Sequence, residues 1–204
     1  MGKLFSIDGL LYRIGTIIID LFYMNLLWTL FTIMGLGITG GASTSALFHV
    51  MLRRAENKGN CNFREFWYGF KKDFKRATIV WLILLSVFAI TYVNINYIPF
   101  FQSIIGNAYI TMLLFIVQLL IMVELLVLFI YIFGIINRQT IPVAQVFKKA
   151  FIISHKHLLT TLTCIALLIV VMIGIFHVPI LLAAGISGYA MLTSLIIKDK
   201  IRLS

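Results

Sequence analysis

Residues 35–54 read GLGITGGASTSALFHVMLRR: four glycines in the first seven positions, a Ser/Thr cluster, a short apolar stretch and two arginines. A plain apolar run precedes them. Whether they form a loop, a re-entrant hairpin or a full crossing decides how often the chain passes through a membrane. As a helix, Gly37–Leu52 rises about 24 Å, a little short of a hydrocarbon core of ~30 Å. Flanking residues and local thinning absorb a mismatch of that size. Gly37 and Gly41 followed by Ser45, and Ala42 with Ala46, place small residues at helical spacing, which lets a neighbouring backbone approach closely. We read the stretch as a short crossing surrounded by protein, with a re-entrant hairpin as the alternative.

The rest of the chain sets that reading in a membrane. Of its 204 residues 61% are hydrophobic and only 12% charged, with mean hydropathy +1.04, against about 25% charged in soluble domains. Apolar runs lie near 14–34, 77–97, 108–137, 158–177 and 180–197, and Ile110–Ile136 exceeds the ~20 residues a crossing needs. The net charge of +10 has no soluble basic domain to carry it, so it speaks for cytoplasmic loops and anionic headgroups rather than nucleic acid. Asp20 interrupts the first run and no small-x-small site follows it, so a cleaved signal peptide is not expected. The opening MGKLFS fits a myristoylation pattern that is common by chance.

The positive residues arbitrate the topology. Lys3 and Arg13 precede the first run; eight fall between 53 and 76; Arg138, Lys148, Lys149 and Lys156 follow the long central run; Lys198, Lys200 and Arg202 close the chain. The connections 94–107 and 177–180 carry none. If Gly37–Leu52 crosses, every basic stretch and both termini share the cytoplasmic side, in accord with the positive-inside rule. The expected architecture is an all-α polytopic bundle of six spans, the second one short, with two amphipathic interfacial helices at 62–77 and 143–157.

FKKDF at 70–74 returns as FKKAF at 147–151, 77 residues later. The same shift carries 37–52 onto 114–129 and 77–97 onto 154–174. The chain is therefore expected to be one integral membrane domain built from parallel repeat units 37–97 and 114–174; chance matching in so biased a composition is the competing explanation.

In the segment 62–77, Phe63, Phe66, Trp67, Phe70 and Phe74 follow the i, i+3, i+4, i+7 spacing of one helical face. Arg64, Glu65, Lys71, Lys72 and Lys75 occupy much of the remainder, and Arg76 joins the candidate contact residues. A basic helix with an aromatic stripe lies in the membrane interface. It serves either as a plain anchor or as a docking surface for a partner. Phe147, Lys148 and Lys149 carry the weaker counterpart. Glu124 sits near the middle of the long central run, where an unpaired carboxylate is costly; Gln118, Asp20, Asn25 and Tyr131 are its candidate companions. It either holds two helices together as a neutral acid or lines a polar path. Asp20 is read as structural, within reach of Arg13. His155 and His157 point to different faces of a helix, and Cys61 and Cys164 have no metal or disulfide spacing. No metal or cofactor is expected, and no phosphate-binding loop, nucleophile elbow or zinc-protease motif is present.

NLLWTLFTIMGLGITGGASTSALFHVMLRR, 25–54, and FWYGFKKDFKRA, 66–77, resemble the Asn-x-x-Trp segment, glycine turn, small-residue helix and Phe/Lys-rich segment of the YesL-like bacterial membrane proteins. The likeness covers about the first 80 residues. Where that family commonly has Gly-Pro at the turn, this chain has Gly40-Gly41, which leaves the start of the short helix less constrained. The family has no established activity. Its members tend to be encoded beside carbohydrate ABC-transporter components, so the resemblance implies a non-enzymatic accessory role in oligosaccharide uptake in the bacterial cell membrane, with permease or ATPase subunits as partners and room for an oligomer. A small transporter or channel using Glu124 is the alternative.

Overall fold

The computed structural model describes residues 10–178 and 181–202, with the side chains of 10–14, 105 and 202 left aside. Lys3, the MGKLFS pattern, the Arg13 side chain and the turn at Pro179 therefore lie outside the described residues. The described chain is all α: α1 (Leu10–Met34), α2 (Gly40–Ala55), α3 (Phe63–Ile105), α4 (Ala108–Arg138), α5 (Val143–Lys156), α6 (Leu158–His177) and α7 (Leu182–Arg202).

Four of these helices, α1, α3, α4 and α6, are long and apolar enough to cross a membrane. Many of their large aliphatic side chains point outward: Ile19, Ile33, Ile90, Leu120 and Val170 are all more than 60% exposed, as expected where lipid rather than water is the surrounding solvent. α2, at 16 residues, falls below that length, and the 180–197 run appears as α7, which is outside the four.

Local chemistry sets the helix ends. Asn62 caps α3 by accepting from the Glu65 amide at 2.9 Å, and Asn107 caps α4 by accepting from the Tyr109 and Ile110 amides. Between them Gly106 ends α3 at φ +65°, the left-handed stop that only glycine adopts cheaply. The result is an antiparallel α3–α4 hairpin with a two-residue turn.

α2 packs antiparallel against the beginning of α3. Gly69 of α3 lies against His49, Gly41 of α2 against Ala77, and Trp81 Nε1 donates to Gly37 O at 3.0 Å. These α3 partners of α2 fall within residues 69–81, and beyond Leu84 only Thr91 of α3 is buried among the described residues. The segment 62–77, expected to be a separate interfacial helix, is instead the first four turns of a 43-residue helix. Only the middle of its aromatic face turns inward, with Phe63 and Phe74 left exposed. Phe66 is fully buried and Phe70 nearly so, both against the ring of Phe31 on α1 at 5.5 and 5.0 Å. Burying such a ring rather than leaving it in water contributes about 1.5–3 kcal/mol. The counterpart, α5, is a separate helix, but Val146, Ala150 and Ile153 are buried on its inner face and it packs on α4.

Gly37 also departs from expectation. It has φ +79° in the turn before α2 and does not share a helical face with Gly41. Gly41 does make the close approach: a Cβ there would stand 2.4 Å from both Ala77 O and Trp81 Cβ. Ala42, Ser45 and Ala46 are fully buried alongside it.

Candidate functional site

Nearly all of α2 is buried, although it is polar: Ser43, Thr44, Ser45 and His49 join Ala46, Leu47 and Val50 inside the bundle. It touches α1, α3, α4 and α7. Hydrogen bonds answer this polarity at Thr44 and Ser45, while Ser43 Oγ and His49 Nε2 are buried without a hydrogen-bond partner among the described residues. Trp28 Nε1 donates to Thr44 Oγ1 at 3.1 Å, and Thr44 Oγ1 donates to Gly40 O. Asn137 Nδ2, from the last turn of α4, donates to Ser45 O at 2.9 Å and to Phe133 O at 2.7 Å.

The charged ends of the helices meet below this layer. Arg54 Nη1 pairs with Asp20 Oδ2 at 2.6 Å, joining α2 to α1. Arg138 at the end of α4 pairs with Glu56, which Lys58 also meets at 3.1 Å. Glu65 lies 3.1 Å from Arg53 and 3.7 Å from His49. The carbonyls left over at the end of α4 receive cations from α3: Lys72 Nζ donates to Asn137 O, and Arg76 Nη1 to Gln139 O and Ile141 O. Arg76 also pairs with the buried Asp73. Lys198 Nζ closes α2 by donating to Ala55 O at 3.1 Å. Cations at helix C-termini complement the partial negative charge there. One end of the bundle is therefore a continuous ionic lattice linking α1, α2, α3, α4 and α7.

The electrostatics follow from that lattice. Burial alone would raise the Glu56 carboxyl, but hydrogen bonds from Lys58 and Arg138 prevail and hold it below the ordinary value. Burial pushes the Cys61 thiol up, against the pull of the Arg54 guanidinium beside it.

The residues proposed from sequence as a contact surface divide in two. Phe66 and Phe70 are core, and Lys72, Arg76 and Lys149, the last donating to Gln139 Oε1 at 2.8 Å, serve helix ends. Lys71, Phe74, Lys75 and Lys148 stay exposed, and Trp67 and Phe147 are half-buried. Lys71 Nζ stands 4.6 Å over the Trp67 ring, a cation–π contact. With Arg64, Tyr68 and Lys72 these two line an open groove of about 470 Å³ on the outer face of α3.

Glu124 meets none of the companions named for it. Tyr131 bonds Thr161 at 2.9 Å, Asn25 donates to Leu182 O at 2.7 Å, Asp20 is held by Arg54, and Gln118 lines a cleft with Asn94, Ile98 and Phe101. The partner of Glu124 is His155 of α5, at 3.7 Å. Spacing on one helix could not reveal this, because the pair forms only when α5 folds back along α4. Sequence reasoning assigned no role to His49 or Glu65 and passed over Asp73 and Asn137. Asn137 is the one with a visible signal, an amide at the end of the most apolar run.

This arrangement defines the class: a multi-pass α-helical membrane protein with one strongly ionic end. Residues 21–95 match the family described as "Protein of unknown function, DUF624". They span α1 from Leu21, all of α2 and most of α3, and contain both segments that carry the YesL-like resemblance. The chain is 30% identical over 111 residues to a protein of Bacillus subtilis (strain 168) named "Uncharacterized protein YteU", an alignment covering 48% of this chain and 50% of that protein. The chain thus spans about half the length of the curated relative it matches. No solved structure matches.

Proposed function

We propose that the protein is a non-enzymatic membrane accessory subunit whose ionic end faces the cytoplasm and docks a cytoplasmic partner through the outer face of α3. The observation that carries this reading is the groove around Lys71 and Trp67. The inner aromatic face and Lys72 and Arg76 are consumed by packing and helix capping, yet Arg64, Tyr68, Lys71, Phe74 and Lys75 remain outward on the same turns. Exposed rings flanked by cations suit an acidic partner surface with an apolar anchor. In this reading both termini are cytoplasmic, and α2 and α7 bring the passes to six, α2 as an element enclosed by protein. The resemblance noted above supplies the partner class, permease or ATPase subunits of a carbohydrate ABC transporter. Affinity purification from native membranes tests it: transporter subunits should co-purify and be lost with Lys71→Glu/Lys75→Glu. Absence of those subunits, with normal oligosaccharide uptake in a deletion strain, defeats the reading.

A second reading rests on the Glu124–His155 pair, two titratable groups facing each other well inside the apolar part of α4. Such a pair suits a proton-coupled path. Glu124→Gln would then abolish flux in proteoliposomes, whereas an accessory role tolerates it.

A further inference from the structure

A second polar recess lies at the ionic end, away from the α3 groove, between the base of α1, the α2–α3 turn and α7. It encloses about 780 Å³. Its lining carries the cations Arg54, Lys58 and Lys198 with the side-chain amides Asn57 and Asn60. Among the described residues no carboxylate lines it, although Asp20 pairs with Arg54 and Glu56 with Lys58. The turn is held in shape by Asn57 at φ +56°, by the Lys58 amide on Arg53 O, and by Arg53 Nη2 on Lys58 O at 3.1 Å.

The ammonium groups are not exhausted. Lys198 gives one donor to Ala55 O, Lys58 reaches Glu56, and an ammonium has three donors. Apolar side chains complete the lining, Ile17 of α1 with Met191 and Leu195 of α7. Leu195, one turn before Lys198 on α7, is 39% exposed.

A recess that brings cations and amides together with aliphatic side chains fits an amphiphile with an anionic head. We infer that the recess between α1, the 56–60 turn and α7 binds a phosphate-bearing anion, with Lys58 and Lys198 on the phosphate and Ile17 and Leu195 against an attached acyl chain. Basic recesses between membrane helices hold anionic headgroups in this way. The inference is independent of the docking surface on α3, because it uses a different turn and different cations.

The test uses the full-length protein in nanodiscs of phosphatidylcholine doped with phosphatidylglycerol, with bound lipid counted by native mass spectrometry. Phosphatidylglycerol should be retained at least about tenfold over phosphatidylcholine, and Lys58→Gln should lower that preference roughly fivefold, the worth of one lysine near an anionic surface. Lys58→Arg should restore it. Lys58 is the informative position because its side chain is 68% exposed, and an unchanged melting temperature shows that its loss leaves the fold intact. A parallel titration with inorganic phosphate separates the sources. Competition by phosphate alone, equally dependent on Lys58 and with no phosphatidylglycerol preference, assigns the recess to a soluble phosphate compound. Equal retention of both lipids with no phosphate binding, or a preference that Lys58→Gln leaves unchanged, overturns the site.

Discussion

Asn137 and Ser45 stand 92 positions apart in sequence, yet the Asn137 amide donates to both the carbonyl of Ser45, at 2.9 Å, and its hydroxyl, at 3.3 Å. Both residues are buried. This bond fixes α4 to α2 at a depth where water is scarce, and a polar group left alone there costs more than the bond itself contributes. Replacing Asn137 with leucine should lower stability by about 1–3 kcal/mol, read as a drop in the melting temperature of the detergent-solubilised protein. Ser45→Ala should cost much less, because its backbone carbonyl still accepts.

The contact of α2 with α3 admits no side chain at position 41. A methyl group there meets a backbone oxygen, Ala77 O, and a backbone oxygen cannot swing aside. Gly41→Val should cost at least about 1–3 kcal/mol through overpacking and reduce the yield of folded protein. Gly15→Ala is the matched control: among the described residues nothing lies within 4 Å of its added methyl, and loss of an interior helical glycine should stabilise by roughly 0.5–1 kcal/mol. If both variants melt alike, the close approach is not what holds the two helices.

Acid should loosen the ionic end through Glu56. Its folded-state value is depressed by Lys58 and Arg138 after burial has been overcome, so its contribution is fully present above the ordinary carboxylate value of about 4.3. It is lost as pH falls through the lower folded value. The gap in melting temperature between the native chain and Glu56→Gln should be widest near neutrality and narrow progressively as pH falls below about 4.3. A gap that does not vary with pH would assign the effect to shape rather than charge.

Cysteine chemistry reports on the same region. The thiolate is the reactive form, and burial raises the Cys61 thiol. Maleimide should therefore label native Cys61 slowly at pH 7 and faster above pH 9. In a Cys61→Ser/Cys164→Ser background, Asn57→Cys at the exposed turn should react with an impermeant maleimide only after cells are opened. Labelling of intact cells would place the ionic end outside and remove the cytoplasmic docking surface with it.

Much of this was legible from periodicity and charge. Runs of more than 20 apolar residues announce α3 and α4, the caps Asn62 and Asn107 sit where the polarity changes, and the cations that cluster in sequence also cluster in space. What sequence could not supply is which face of a mixed helix wins. At 62–77 the spacing of Phe66 and Phe70 predicts an aromatic stripe equally well for lipid or for core. Only the presence of Phe31 and α2 beside it decides for core. Likewise Glu124 has no visible partner along its own helix. His155 reaches it through the reversal at 139–142, a tertiary event that spacing rules do not encode.

From Phe63, among the paired charges, α3 continues without interruption past the last residue that α2 covers, to a turn some 64 Å away. Pro99, six residues from its end, is the one interior proline. A stiff rod of that length acts as a lever. Tilting it by roughly 5° about the contact at Gly41 and Ala77 would carry the distal turn sideways by about 4 Å. Any protein that grips Lys71 and Trp67 thereby holds the short arm, and the far surface of the membrane feels the longer one.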